Sequence, residues 1–175
     1  MTLMFTHGIV RKPSKNFQEG LTTSNLGRPN YNKALEQHSN YKQALKKCGL
    51  EIITIKPDDK FPDSTFIEDT AIVNKDLAVL TNLGAPSRQG EECEVKKVLE
   101  KNFDTVETIK NPGTLEGGDI LRIENSYYIG LSKRTNKKGA HQLKEILKSY
   151  GYSCIEVPLR RFLHLKSGVA YIGDN

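Results

Sequence analysis

The sequence predicts an α/β fold made by repeating a ββαβ unit, with equivalent positions of the repeats facing one axis. Two observations carry this. The order strand, strand, helix, strand occurs over residues 66–109 and again over 118–157, and a third copy opens at residue 163. Laid over one another, TFIEDTAIV, TLEGGDILRI and FLHLKSGVAYI bring Glu68, Glu116 and His164 into register, each 48 residues after the last. A period in the tens of residues marks a solenoid, a propeller or an array. A doubly wound parallel sheet is the alternative architecture.

Each element has its own signal. Residues 3–10 read as extended. Residues 30–48 read as a helix with Ala34, Leu35, Tyr41, Ala44 and Leu45 as its apolar contacts, stopped by Gly49. The β-branched run 51–55 is a strand. Between them, RKPSKNFQEGLTTSNLGRPN (residues 11–30) is too long for a simple connector and reads as a functional flap. In the first full repeat, 66–73 and 77–81 are strands, 88–102 a helix and 105–109 a strand. In the second, 118–123 and 127–130 are strands, 135–150 a helix and 153–157 a strand. Residues 163–172 are expected to form a last strand with an open edge.

Composition narrows the function. The 175 residues are expected to form a single domain, and no apolar run exceeds four residues, which excludes a transmembrane helix. Lys and Arg exceed Asp and Glu by five, but the basic pairs are dispersed, with no arginine-rich arm, so nucleic acid is not the expected partner. Cys48, Cys93 and Cys154 are scattered, without a CxxC spacing. That argues against a disulfide framework or zinc finger and for a reducing, cytoplasmic setting.

Asp63, Glu68 and Asp69 place three carboxylates within seven residues, a crowding that a cation must relieve. A divalent metal could do so, but metal-site spacings are missing and no histidine is close in sequence. A guanidinium, which matches carboxylates two by two, fits as well or better. Arg88 and Arg134 recur at expected helix starts, where the helix dipole disfavours a cation, and this suggests anion binding. Carboxylates for a cation and arginines for an anion describe a zwitterion, most simply a guanidino amino acid. His164 and Glu116, equivalent by the repeat, suit a base oriented by a carboxylate. His38 and His141 read as helix-surface residues.

The strings GLTTSNLG, ALEQHSNY, FPDSTFIEDTA, GAPSRQGE, GTLEGGD, IGLSKRTN and LHLKS resemble the dimethylarginine dimethylaminohydrolase family, within the amidinotransferase and arginine deiminase superfamily. The resemblance implies a five-bladed α/β propeller, the pentein fold, of which this chain would hold three units and a strand of the fourth. It implies hydrolysis of N-methylated arginine to citrulline and a methylamine, through a covalent thiouronium on a cysteine, without metal or cofactor. By the same resemblance Leu21 lies on a substrate lid, and Asp63, Glu68 and Asp69 line the guanidinium end. Arg88 and Arg134 would hold the substrate carboxylate, and Glu116 would orient the catalytic His164. The family's cysteine sits in its last unit, and none of the three cysteines here occupies a position equivalent to His164. The chain alone is therefore expected to be inactive, with a C-terminal partner chain or a homo-oligomer as possible complements. An arginine deiminase or amidinotransferase relative, a non-catalytic guanidino-compound binder and half of a split enzyme are the alternatives.

Overall fold

Parallel neighbouring strands need a crossover between them, and α1 (Tyr31–Lys47) supplies one between β1 (His7–Arg11) and β2 (Glu51–Ile55). The computed structural model describes residues 5–173, in two compact units, Met1–Ile67 and Glu68–Asn175. The first unit holds this pair of strands and the helix. The expected first strand begins late, at His7; residues 3 and 4 lie outside the described residues. The Asn30 side chain caps α1 by accepting the Lys33 amide at 2.9 Å. No residue of α1 is fully buried.

The second unit repeats one motif. β3 (Ala71–Val73) and β4 (Ala78–Leu80) form a hairpin; α2 (Cys93–Leu99) then leads to β5 (Val106–Thr108), parallel to β4. β6 (Ile120–Ile123) and β7 (Ser126–Leu131) form the next hairpin; α3 (Lys137–Ser149) leads to β8 (Ser153–Pro158), parallel to β7. Both sheets run antiparallel and then parallel from their first strand, as the ββαβ reading requires. Inward residues of both repeats share one core, in which Leu77, Val79, Leu115, Ile129, Leu143 and Leu147 are all but fully buried. Asn74 ties the hairpins together by donating to the Tyr127 hydroxyl at 2.7 Å.

Three expected elements are corrected, each for a local reason. Residues 66–73 are not one strand: Ile67–Thr70 is a 3₁₀ turn, and the ladder starts only at Ala71. There the Thr81 hydroxyl donates to the Asp69 carbonyl and the Thr81 amide to the Thr70 carbonyl. The helix expected over 88–102 is divided. Pro86–Arg88 is a 3₁₀ turn, Gly90 at φ 106° breaks the chain direction, and α2 begins at Cys93. Residues 163–172 form no strand among the described residues. A 3₁₀ turn over Leu165–Ser167 coils them through amides donated by Ser167 and Gly168 to the carbonyls of His164 and Leu165. The open strand edge expected there is accordingly not observed.

Candidate active site

Glu116 and His164 occupy the same slot in successive repeats. Each is the extended residue just before a 3₁₀ turn, Glu116 at φ −121° and ψ 137°, His164 at φ −134° and ψ 159°. The glycines of EGGD let these turns come together: a Cβ on Gly117 would strike the Glu68 carbonyl, and one on Gly118 the His164 ring and the Asp69 carboxylate. The result is a hydrogen bond of 2.8 Å between His164 Nε2 and Glu116 Oε2. The other oxygen, Glu116 Oε1, accepts the amides of Gly84 and Ala85 at 3.0 and 3.2 Å. The glutamate is fully buried, and both of its oxygens meet fixed donors.

Charge follows from this packing. Burial alone would pull the His164 pKa down, but the Glu116 hydrogen bond, with Asp69 and Asp119 nearby, holds it above its ordinary value. Burial alone would raise Glu116; His164, Arg134 and Arg88 reverse that and hold it below the usual carboxylate value. The two directions agree. The pair favours an imidazolium beside a carboxylate.

Arg88 is buried among carboxylates. Its Nη1 donates to Asp69 Oδ2 at 2.7 Å, and its Nε and Nη2 fork onto Glu91, with Nη2 at 2.9 Å from Oε2. Glu116 Oε2 lies 3.8 Å from Nη1. Burial works against the guanidinium charge, but Glu91 and Asp69 more than offset it and raise its pKa. Arg134 is more accessible. Its Nη1 lies 3.5 Å from Glu116 Oε1 yet makes no hydrogen bond. Neither arginine starts an α-helix as expected: Arg88 ends a 3₁₀ turn, and Arg134 lies in the loop before Asn136, the cap of α3.

The structure brings Asp69, Glu116, His164, Arg88 and Arg134 together and leaves Glu68 out. Asp69 Oδ1 is 3.9 Å from His164 Nε2 and accepts the Gly118 amide at 2.9 Å. The Glu68 side chain is 70% exposed and pairs with Lys166 at 2.5 Å. The expected convergence of Glu68 with Glu116 and His164 is thus corrected: the 3₁₀ turn directs the next residue, Asp69, inward. In the first unit, Asp63 is buried and accepts the Leu21 amide on both carboxylate oxygens, at 3.1 and 3.0 Å. The crowding read from the sequence is relieved separately, by an amide at Asp63, a lysine at Glu68 and an arginine at Asp69.

Sequence reasoning missed two buried acids. Glu91 holds Arg88. Asp119 accepts the Ser132 hydroxyl at 2.6 Å and the Leu165 amide at 3.0 Å. Burial raises the Asp119 pKa, against the opposing pull of Ser132, Thr135 and Leu165. Both lie inside the strings GAPSRQGE and GTLEGGD, and an acid three residues after Arg88 was the available signal for Glu91. Donor atoms of Asp69, Glu116 and His164 lie within 4.8 Å of one another, a spacing that would also suit a small cation. Here the cation at Asp69 is the Arg88 guanidinium. His38 is corrected as well: it is half-buried, with Nε2 shielded and unpaired.

A model of the family described as N,N dimethylarginine dimethylhydrolase, eukaryotic, matches residues 11–174. The chain belongs to the dimethylarginine dimethylaminohydrolase family. The N(G),N(G)-dimethylarginine dimethylaminohydrolase of Pseudomonas aeruginosa is 44% identical over 173 residues, which cover 98% of this chain and 68% of that protein. The Streptomyces coelicolor protein of the same name is 37% identical, covering 95% of this chain and 65% of that one. A solved structure of the Pseudomonas protein, a cysteine-to-serine variant complexed with citrulline, superimposes with a TM-score of 0.94 over 97% of this chain and 67% of that one. The chain thus spans about two thirds of the length of these family members. The match also supports the α/β fold at the level of the whole described region.

Proposed function

We propose that the chain carries the proton-transfer and ligand-binding half of an amidine hydrolase acting on N-methylated arginine, giving citrulline and a methylamine. The observation that carries this reading is the 2.8 Å His164–Glu116 hydrogen bond, set among buried charges of both signs. Asp69, Glu91, Glu116 and Asp119 outnumber Arg88 and Arg134 there, leaving room for two more positive charges, an imidazolium and a guanidinium. Asp69 is the residue proposed to take the ligand guanidinium, dividing its carboxylate between that cation and Arg88. Arg134, with a nitrogen free of hydrogen bonds, is the better candidate for the ligand carboxylate, with Arg88 beside it. Leu21, Asp63 and Glu68 are assigned to ligand binding, and residues 11–30 to a lid, by the family resemblance; so is the five-bladed propeller.

In this reading a thiolate attacks the guanidinium carbon, and the amine leaves with a proton from His164. The covalent thiouronium is then hydrolysed by water that His164 deprotonates, which returns the thiol and yields citrulline. Among the described residues, the acids gathered around His164 are Asp69, Glu116 and Asp119, and no cysteine joins the cluster of His164 with Asp69 and Glu116. Acid–base assistance alone is worth about 10²–10⁴-fold, short of the roughly 10⁶-fold or more that enzymes supply. The 175-residue chain is therefore expected to bind ligand without appreciable turnover. Calorimetry with dimethylarginine, arginine and citrulline ranks the ligands. Affinity unchanged by Asp69→Ala and by Arg134→Ala would refute the assignment of the two ends. Citrulline release at ordinary enzyme rates, abolished by Cys154→Ser, would show that the nucleophile was misplaced.

A further inference from the structure

Asp119 is a fully buried carboxylate that the proposed chemistry does not use. One oxygen accepts the amide of Leu165, the residue next to His164, at 3.0 Å. The other accepts the Ser132 hydroxyl at 2.6 Å. Ser132 Oγ in turn accepts the amides of Arg134 at 2.9 Å and Thr135 at 3.1 Å. Thr135 Oγ1 then accepts the amide of Glu116 at 3.1 Å. One buried acid therefore stands at the meeting point of the His164 turn, the Arg134 loop and, through Thr135, the Glu116 backbone. Gly130 keeps the space clear, because a Cβ there would press on Asp119 and on Leu165.

We propose that Asp119 is the positioning residue of this site, fixing His164 through the Leu165 amide and Arg134 through Ser132. A buried carboxylate is costly unless its oxygens meet donors, and here the donors are the two segments that must be held. Asp69 makes a comparable link one repeat earlier, from a different position: it directly follows Glu68 and accepts the Gly118 amide two residues beyond Glu116. The link is thus a recurrent device. In the first case the acid also faces the site; in the second it is sealed behind it. The proposal rests on the reading that Arg134 meets the ligand carboxylate and that His164 works on Glu116.

The test uses the 175-residue chain, with Asp119→Ala, Asp119→Asn and Ser132→Ala. Two readouts separate positioning from general support of the fold. The first is the ratio of affinities for dimethylarginine and its decarboxylated analogue, which reports Arg134. The second is the ¹⁵N signal of His164 Nε2, which reports its hydrogen bond to Glu116. Asp119→Ala should lower the ratio at least tenfold and move the His164 signal toward that of free imidazole. Ser132→Ala should lower the ratio and leave the His164 signal in place. Asp119→Asn, which still offers an oxygen to Leu165, should restore the His164 signal but not the ratio. A folded Asp119→Ala protein with the wild-type ratio and signal would overturn the proposal. If the alanine variant does not fold, Asp119→Asn and Ser132→Ala decide by the same readouts, and wild-type ratios in both overturn it. If the wild-type chain binds neither compound, the guanidino reading fails by itself. The proposal then stands or falls on whether Asp119→Ala moves the His164 signal while Asp119→Asn leaves it in place.

Discussion

Two strand–helix–strand crossovers of the same order have very different interiors. In the first unit, β1–α1–β2 has a helix of 17 residues without a single fully buried side chain. In the second, β7–α3–β8 has a shorter helix, of 13 residues, that buries Gly139, Ala140, Leu143 and Leu147. The strands differ likewise. Among the described residues, β7 has an antiparallel partner in β6 as well as a parallel one in β8, whereas β1 pairs with β2 alone. Most helical stability in proteins comes from packing an apolar face rather than from propensity. α1 must lean on its caps and its intrinsic helix formers; α3 leans on a core.

The largest test of that contrast is truncation of one leucine in each helix. Leu143→Ala removes a fully buried side chain and should cost about 2–5 kcal/mol. Leu35→Ala, half-buried in α1, should cost less than about 1 kcal/mol, since surface-like changes are small. Equal losses in denaturant unfolding would show that α1 has a packed partner after all.

Capping sharpens the comparison at smaller scale. Among the described residues the Asn30 side chain makes one hydrogen bond, to its own helix. Asn136 accepts the amides of Gly139 and Thr114 and donates to the Pro112 carbonyl. Losing a cap typically costs about 1 kcal/mol. Asn30→Ala should show that value at most, and Asn136→Ala clearly more, in the same unfolding experiment.

The smallest expected effect is in pH dependence, where the half-buried histidines of the two units should behave oppositely. His38 is lowered, first by burial and then by Lys42 one turn along, with the Arg11 backbone opposing. Its folded state binds protons less readily than the unfolded state, so stability falls as pH drops below about 6.5, the ordinary histidine value. His164 is raised, so its contribution is complete below 6.5 and is lost as pH rises through its folded value. Glu116 is lowered, so its contribution is complete above 4.5 and is lost as pH falls through its folded value. Melting temperatures across pH should therefore separate the variants. Glu116→Gln should be most harmful between about 4.5 and 6.5, and His38→Gln should help most on the acid side. The same sign for both histidines would refute the assigned causes.

Much of the second unit was legible because its signals are local. The helix starting at Lys137 follows an asparagine cap, and β8 is written in Ile155 and Val157. The 48-residue spacing found the Glu116–His164 contact, because equivalent slots in successive turns do meet. It failed for Glu68, since a 3₁₀ turn advances side chains differently from a strand and exchanged Glu68 for Asp69. Arg88 was found as a charge and misread as a helix start, since Gly90 at φ 106° ends the turn before α2 begins. Asp119 and Glu91 stayed hidden because their partners are backbone amides, a hydroxyl and another buried side chain, which periodicity does not reveal.

The shared slot before the turns has a consequence for how such a site can diversify. Glu116 and His164 have nearly the same backbone angles, and the turn after each is anchored by a buried acid of the preceding repeat. The two anchors are placed differently: Asp69 directly follows Glu68 and faces the site, whereas Asp119 lies three residues after Glu116 and is sealed behind the site. A copied slot can therefore exchange an acid for a base, as Glu116 and His164 do, so long as some acid of the preceding unit still holds the turn that follows it.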